Sequence, residues 1–70
     1  MTDSEIFYRN VKRICKQKRL KMRRMDVKAG YSEKYAYQLY YKHCAVSVEH
    51  IRQYARALEV EPTRLMEGMF

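Results

Sequence analysis

The stretch MRRMDVKAGYSEKYAYQLYY, residues 22–41, predicts two short helices joined by a tight turn. Apolar residues recur at helical spacing over Met22 to Ala29, which predicts the first of these helices. Gly30 follows at the position where helices often end in left-handed backbone, which glycine adopts without a Cβ clash. Ser32 is a good N-cap residue, so the next helix is predicted from Ser32 to Tyr41. Two helices and a glycine turn within about twenty residues have the spacing of a helix-turn-helix.

Three further helices are predicted around this pair. The first begins near Asp3 or Ser4 and ends near Lys18, with Thr2 and Glu5 placed as a capping box. The fourth follows Ser47, and the fifth has Pro62 at its first position and Gly68 as its terminator. The residues predicted to line the core are Ile6 or Phe7, Val11, Ile14 and Cys15, then Val48, Ile51, Tyr54, Ala55 and Leu58, then Leu65 and Met66 with Met69.

The tyrosines of residues 31–41 fall on different sides of the predicted third helix. At 100° per residue, Ala36, Leu39, Tyr40 and His43 share the face expected to be buried. The residues expected to point outward are Lys34, Tyr37, Gln38 and Tyr41, whereas Tyr35 lies on the border and Tyr31 fills the turn. We therefore do not expect the tyrosines to form a single cluster.

Composition and charge narrow the class of protein. The 70 residues are 47% hydrophobic and 33% charged, with two glycines and one proline. This is too apolar for a disordered tail and too poor in turn residues for a many-stranded β fold, so one all-α domain over residues 1–70 is expected. The net charge of +7 points to an acidic partner, and ten of the basic residues lie between Arg9 and Lys28, where Asp26 is the single acid. No stretch is long enough to span a membrane, and we expect no membrane partner.

No arrangement typical of catalysis or metal binding is present. Cys15, Cys44, His43 and His50 include no C-x-x-C or H-x-x-x-H pair, so no metal is expected. We interpret His43 as a helix-end residue, Cys44 as a small apolar filler, and both cysteines as free thiols in a reducing cytoplasm. The sequence therefore predicts a protein that is not an enzyme and has no cofactor or small-molecule ligand.

From Asn10 to Met66 the chain resembles the Cro and repressor, or Xre-type, family of helix-turn-helix domains. The run AGYS at residues 29–32 is similar to the family's AGVS, and SVEHIRQYARALEV at residues 47–60 is similar to its fourth helix. The other matching positions are Val11, Ile14, Leu20, Met22, Met25, Ala36, Leu39, Leu65 and Met66. The resemblance implies a compact five-helix, lambda-repressor-like DNA-binding domain.

Several residues depart from the family pattern. Met22 stands where the family usually has a glutamine that holds a phosphate and a base edge, and Tyr40-Tyr41-Lys42 replaces a Glu-x-Gly ending. Asp26 replaces a small alanine, and Ala36 replaces the bulkier aliphatic residue that faces it. We interpret the last two changes as compensating. Because an unpaired buried carboxylate costs several kcal/mol, Asp26 needs a partner such as a tyrosine hydroxyl or an arginine.

The resemblance also implies a DNA interface, with the third helix in the major groove. The implied base-reading residues are Glu33, Lys34, Tyr37 and Gln38. The implied phosphate contacts are Lys21, Arg23, Arg24, Ser32, Tyr35 and Tyr41. The alternative for the first set is solvated polar residues on a surface helix. The alternative for Tyr35 and Tyr41 is packing over the rim of the core.

These features favour a transcriptional regulator of bacterial, phage or mobile-element type that binds double-stranded DNA. Met66, Met69 and Phe70 either pair two copies or pack on the chain's own core, and of the two we favour a homodimer. The alternative function is a protein-interaction module that uses the tyrosine-rich third helix, since tyrosine is enriched at protein interfaces. Structured RNA is a third, weaker candidate.

Overall fold

The first helix, α1, spans Asp3–Lys18 and begins at the capping box that the sequence predicts. The Thr2 hydroxyl accepts the N–H of Glu5 at 3.3 Å, and the Glu5 carboxylate accepts the N–H of Thr2 at 3.4 Å. Together they satisfy backbone donors that a helix start leaves unpaired. The computed structural model describes residues 2–69; Met1 and Phe70 lie outside the described residues, and so does the predicted role of Phe70.

Four shorter helices follow, and the expectation of an all-α architecture with five helices is confirmed. No β-strand occurs between residues 2 and 69, and no helix there has the length and apolar character needed to cross a membrane. The bounds are Met22–Lys28 for α2, Tyr35–Tyr41 for α3, Val48–Leu58 for α4 and Pro62–Leu65 for α5.

α1 packs against α2, α3, α4 and α5, and α4 packs against α2 and α5, so one core lies between them. Phe7 of α1 and Tyr54 of α4 are fully buried and meet edge to face, with ring centroids 5.2 Å apart. Such pairs add to the hydrophobic stabilisation that burial itself provides. The buried apolar residues are Phe7, Val11, Ile14, Cys15, Met25, Ala29, Ala36, Leu39, Ile51, Tyr54, Ala55, Ala57, Leu58 and Leu65.

The start of the third helix differs from the prediction. α3 begins at Tyr35, not at Ser32, and its N-cap residue is Lys34. Ser32 makes no side-chain capping bond; its carbonyl accepts the N–H of Tyr35 at 3.1 Å within a turn. The physical reason is that a buried carboxylate from α2 binds the first N–H groups of α3, as described below.

Three residues predicted to be buried are exposed. Val48 is 66% exposed because it is the first residue of α4, directly after the Ser47 cap, and lies beyond the packed part of the helix. His43 and Cys44 are exposed because α3 ends at Tyr41 and the chain then turns, with φ 54° at His43. The prediction of free thiols is confirmed for both cysteines, but only Cys15 is buried.

The C-terminal segment is held against α1. Met66 and Met69 pack on the core of their own chain, which is the second of the two predicted alternatives for them. Asn10, 2% exposed, donates from Nδ2 to the carbonyls of Leu65 and Glu67, both at 2.9 Å. The first bond satisfies a carbonyl that the end of α5 leaves unpaired, and the second binds the chain just after the helix, so together they hold α5 in place.

Candidate nucleic-acid interface

The turn between α2 and α3 is built as the sequence predicts at Gly30. Gly30 has φ 97°, in the region that disfavours residues with a Cβ. Its N–H donates to the carbonyl of Val27 at 2.9 Å, and the N–H of Tyr31 donates to the carbonyl of Asp26 at 3.0 Å. These bonds close the end of α2 and direct the chain back toward α3.

Asp26 fixes the start of α3 from the neighbouring helix. The carboxylate is 1% exposed, and it accepts the N–H of Lys34 at 2.9 Å and the N–H of Ala36 at 3.3 Å. It also accepts a hydrogen bond from the hydroxyl of Tyr54 on α4. Ala36 is fully buried, and its short side chain leaves space for the carboxylate. The expected tyrosine partner is therefore confirmed; we call Asp26 and these three donors the carboxylate clamp.

The carboxylate clamp changes the acidity of its neighbours. Burial, together with the hydrogen bond to Asp26 and the negative charge on that residue, raises the pKa of Tyr54 well above its ordinary value. Burial and, to a smaller extent, Asp26 raise the pKa of Cys15 to about 11. Tyr54 therefore keeps its proton and remains a donor at neutral pH.

Lys34 has left-handed backbone, with φ 66°. For a residue with a Cβ this conformation costs on the order of 1 kcal/mol. The hydrogen bond from its N–H to Asp26 offsets that cost, because bonds to a charged acceptor are among the stronger ones in proteins. The clamp thus holds the residue at which the predicted base-reading face begins.

The four predicted base-reading residues are all exposed on one side of the turn and α3. Glu33 and Lys34 lie in the turn before the helix, not within its first turn as predicted, and Tyr37 and Gln38 lie in α3. Tyr37 is 44% exposed. Ala36 and Leu39 are buried on the other side, and Tyr35 and Tyr40 are half-buried between them, so α3 has a packed face and a free face.

The predicted phosphate contacts are less uniform. Lys21, Arg23, Arg24 and Ser32 are exposed, and Tyr41 is 69% exposed. Tyr35 is half-buried, and its hydroxyl lies 3.1 Å from Nε2 of His50. For Tyr35 the structure shows the packing alternative.

The tyrosines form two clusters, so the expectation that they do not form a single cluster is confirmed. Tyr40, which was expected on the buried side, is half-buried and joins the outer of the two. The inner aromatic cluster consists of Tyr31, Tyr35, Tyr54 and His50; Tyr31 stacks on Tyr35 with ring centroids 4.3 Å apart. The outer aromatic cluster consists of Tyr8, Tyr37, Tyr40 and Tyr41; Tyr8 of α1 stacks on Tyr40 with centroids 5.1 Å apart. The inner cluster ties the turn to α4, and the outer cluster joins α1 to α3.

His50 links the inner aromatic cluster to the start of α4. Its Nδ1 accepts the N–H of Ser47 at 3.1 Å, and the Ser47 hydroxyl accepts the N–H of His50 at 3.2 Å. Because Nδ1 is an acceptor, the neutral ring carries its proton on Nε2, facing Tyr35. Burial lowers the pKa of His50, and the charge of Glu49 opposes this effect only in part.

Three open clefts lie near α3 and the turn before it. The central cleft, of about 400 Å³, lies between α1, α2 and α3, and the α2 cleft, of about 560 Å³, lies at the start of α2. The α1 cleft, of about 250 Å³, lies beside the end of α3. Their lining residues are Tyr8, Met22, Arg23, Asp26, Lys34 and Tyr37 for the central cleft, Lys21, Met22, Arg23, Arg24 and Glu33 for the α2 cleft, and Glu5, Tyr8, Arg9, Lys12 and Tyr40 for the α1 cleft.

Sequence reasoning missed three residues that shape this region. Tyr8 was not assigned a role, yet its ring borders both the central and the α1 cleft. Asn10 holds α5, and Lys18 donates from Nζ to the carbonyl of Leu58 at 2.8 Å, at the end of α4. The position of Tyr8 next to the apolar stripe of α1 is a local signal that it lies at the edge of the core. The long-range bonds of Asn10 and Lys18 leave no local pattern in the sequence.

Among residues 2–69 no three histidine, cysteine or acidic side chains are grouped as metal ligands would be. Comparisons of the chain with protein-family models, with curated proteins and with solved structures found no match.

Proposed function

We propose that this protein is a helix-turn-helix domain of the Cro and repressor type that binds double-stranded DNA in a sequence-specific manner. In this proposal α2, the Gly30 turn and α3 form the helix-turn-helix, and α3 enters the major groove. The protein then acts in the cytoplasm as a transcriptional regulator of bacterial, phage or mobile-element type.

The observation that carries the proposal is the free face of α3. Lys34 and Gln38 are exposed, while the opposite side of the helix packs on the core and its start is bound by Asp26. A helix that reads base edges needs both properties, since its side chains must reach the DNA and its backbone must stay in register. The major groove is wide enough to admit a helix presented in this way.

The side chains on the free face have the chemistry of base recognition. Lys34 can donate to O6 and N7 of guanine, and Gln38 can form two hydrogen bonds with adenine. Glu33 can accept from N4 of cytosine, and Tyr37 can contact a thymine methyl group. Lys21, Arg23 and Arg24 lie at the start of α2 beside this face, where their charges suit phosphate contacts that position the protein without reading sequence.

The experiment that tests the proposal is selection of bound duplexes from a pool of random DNA. We expect a defined consensus whose affinity falls steeply as salt rises. Two symmetric half-sites about one helical turn apart would show that a homodimer binds, and a single asymmetric site would show a monomer. If the pool stays random after repeated rounds at low salt, the proposal is wrong.

A second candidate function is binding of a protein partner through the same helix. The observation that favours it is the exposure of Tyr37 and Tyr41 on neighbouring turns, with ring centroids 6.0 Å apart. Tyrosine side chains supply large contact area at protein interfaces. A gel-shift titration with random duplex DNA separates the candidates, because a protein-binding module with no affinity for DNA gives no shift at low salt.

A further inference from the structure

The three clefts adjoin one another through shared lining residues. The central cleft shares Tyr8 with the α1 cleft, and it shares Met22 and Arg23 with the α2 cleft. We call the surface formed by these three adjoining clefts, from Arg24 across Tyr37 to Lys12, the basic groove. Its length crosses three helices, so it extends well beyond the free face of α3.

The charge of the basic groove is strongly positive. Its lining cations are Arg9, Lys12, Lys21, Arg23, Arg24 and Lys34. The acids among the lining residues are Glu5, which is half-buried and held in the capping box of α1, Glu33, at the α2 end, and Asp26, which is buried in the carboxylate clamp. Six cations against three carboxylates, one of them buried, attract a chain that carries a negative charge at every unit.

Tyrosine rings lie along the middle of the same groove. Tyr8 borders two of the clefts, and the ring centroids of Tyr37 and Tyr40 lie 5.8 Å and 5.1 Å from that of Tyr8. The central cleft, of about 400 Å³, is open to solvent and is lined by both Tyr8 and Tyr37. It can therefore hold a planar ring against the tyrosines.

We propose that the basic groove binds single-stranded DNA, with phosphates on the cations of both ends and unpaired bases against the tyrosine rings. A single strand carries both charged phosphates and planar bases, and the groove presents cations toward its ends and tyrosine rings between them. An acidic peptide would match the cations but not the row of rings. The site goes beyond the proposed duplex interface, because Tyr8, Arg9, Lys12 and Tyr40 belong to the groove alone. The residues that the two sites share are Lys21, Arg23, Arg24, Glu33, Lys34 and Tyr37, so duplex and single strand exclude each other.

The first test compares two variants with equal loss of charge. R9Q/K12Q removes an arginine and a lysine from the α1 end of the groove, and K28Q/R52Q removes the same residue types from exposed positions that line none of the three clefts. The ligand is a twelve-residue oligothymidylate, and binding is followed by tyrosine fluorescence, since the chain has seven tyrosines and no tryptophan. We expect R9Q/K12Q to weaken binding about tenfold and to flatten its salt dependence. Equal losses of affinity in both variants would overturn the proposal, because binding would then depend only on the overall charge of the protein.

The second test asks whether bases stack on the rings. Y8L should weaken binding of the oligothymidylate about tenfold, whereas Y8F keeps the ring and should bind as the wild type does. Circular dichroism establishes that each variant is folded. An abasic oligonucleotide of the same length carries the same phosphates without bases, and it should bind more weakly and leave the tyrosine fluorescence unchanged. Equal binding of the abasic strand would refute stacking even if Y8L did not fold.

Two further ligands separate this proposal from the others. Q38A should weaken binding of the selected duplex and leave binding of the oligothymidylate unchanged. If the wild-type protein binds the selected duplex but not the oligothymidylate, the groove proposal alone is wrong. If it binds the oligothymidylate but selects no duplex, the duplex-reading function alone is wrong. If polyglutamate of equal charge bound as tightly as the oligothymidylate and quenched the tyrosines equally, the occupant would be an acidic polypeptide and the proposal would be wrong.

Discussion

The two sides of α3 differ in burial and in hydrogen bonding. On the inner side, Asp26 is 1% exposed and is bound by two backbone N–H groups and the hydroxyl of Tyr54. On the outer side, Lys34 and Gln38 are exposed and make no side-chain hydrogen bond to any residue from 2 to 69. The inner side therefore depends on every one of its partners, whereas the outer side is free to bind a ligand.

This difference shows which side of α3 stabilises this very small domain and which side is available for recognition. A buried carboxylate is tolerated only while its donors stay in place, so the inner side fixes the position of α3. Exposed side chains contribute little to folding and can change with the partner. Changes on the inner side should therefore alter folding, and changes on the outer side should alter binding.

The largest effect is expected from Asp26→Ala. This change leaves the N–H groups of Lys34 and Ala36 and the hydroxyl of Tyr54 without their acceptor, and it should lower the free energy of unfolding by about 3 kcal/mol. Urea denaturation followed by circular dichroism measures the loss. Glu33→Ala, which removes an exposed carboxylate, is the control and should stay within about 0.5 kcal/mol of the wild type. Equal midpoints for the two variants would contradict the carboxylate clamp.

A matched pair of hydroxyl deletions sharpens the comparison further. Tyr54→Phe removes one donor from Asp26 and should cost about 2 kcal/mol, because a buried charged acceptor loses a partner. Tyr37→Phe removes a hydroxyl from the outer side and should cost less than about 0.5 kcal/mol. The cost of Tyr54→Phe should largely disappear when Asp26 is already alanine, since the two residues act through one hydrogen bond. A cost that persists in that background would assign the effect to packing instead.

On the outer side, Gln38→Ala tests base recognition. It should cost about 1–3 kcal/mol of binding free energy on the selected duplex and relax the preference at one base pair, while the unfolding midpoint stays unchanged. Competition between matched duplexes that differ at single positions measures the preference. Unchanged affinity on every sequence would remove Gln38 from the set of base-reading residues.

Lys21→Gln tests the flank of the same face and should have a smaller effect. A lysine that contacts a phosphate contributes equally on every sequence, so all duplexes should weaken alike. The slope of log affinity against log salt should flatten by about 0.9, the contribution of one phosphate contact. Selective loss on one operator would instead make Lys21 a base-reading residue.

The smallest expected effect is the pH dependence of stability that arises from His50. Its pKa in the folded state lies below the ordinary 6.5 because the ring is partly buried. Above pH 6.5 the ring is neutral in both states, and its contribution to stability is fully present. As pH falls from 6.5 toward the folded-state pKa, the unfolded chain takes up a proton that the folded chain does not, so stability decreases.

Thermal unfolding across pH 5 to 8 measures this dependence, and His50→Gln is the control. Glutamine at this position can still bind the N–H of Ser47 as in a capping box, but it does not titrate. The decrease in stability between pH 6.5 and 5 should therefore become smaller in His50→Gln. The same profile in both proteins would show that His50 is not its source.

Local sequence patterns predicted most helix boundaries but not the start of α3. The capping box at Thr2, the positive φ at Gly30 and the helix start at Pro62 depend on neighbours a few residues away, and all three are confirmed. The start of α3 depends instead on Asp26, so the prediction of Ser32 as the cap is wrong. The need of Asp26 for a partner could be foreseen, because a charge at an apolar position of a helix is costly to bury.

The candidate site was predictable where it depends on the face of a helix. The 100° rotation per residue correctly placed Tyr37, Gln38 and Tyr41 outward. It could not place Tyr8 against Tyr40, since that contact depends on how α1 crosses α3. The basic groove was missed for the same reason, because it is formed only when residues of three helices come together.

The two thiols differ in accessibility, and this difference allows the domain to be labelled at one site for binding measurements. Cys15 is buried and has its pKa raised to about 11, so it resists alkylation while the protein is folded. Cys44 is exposed three residues after the end of α3. A maleimide dye should therefore label the natural protein at this single place, beside the helix whose ligands are in question, without any engineered cysteine.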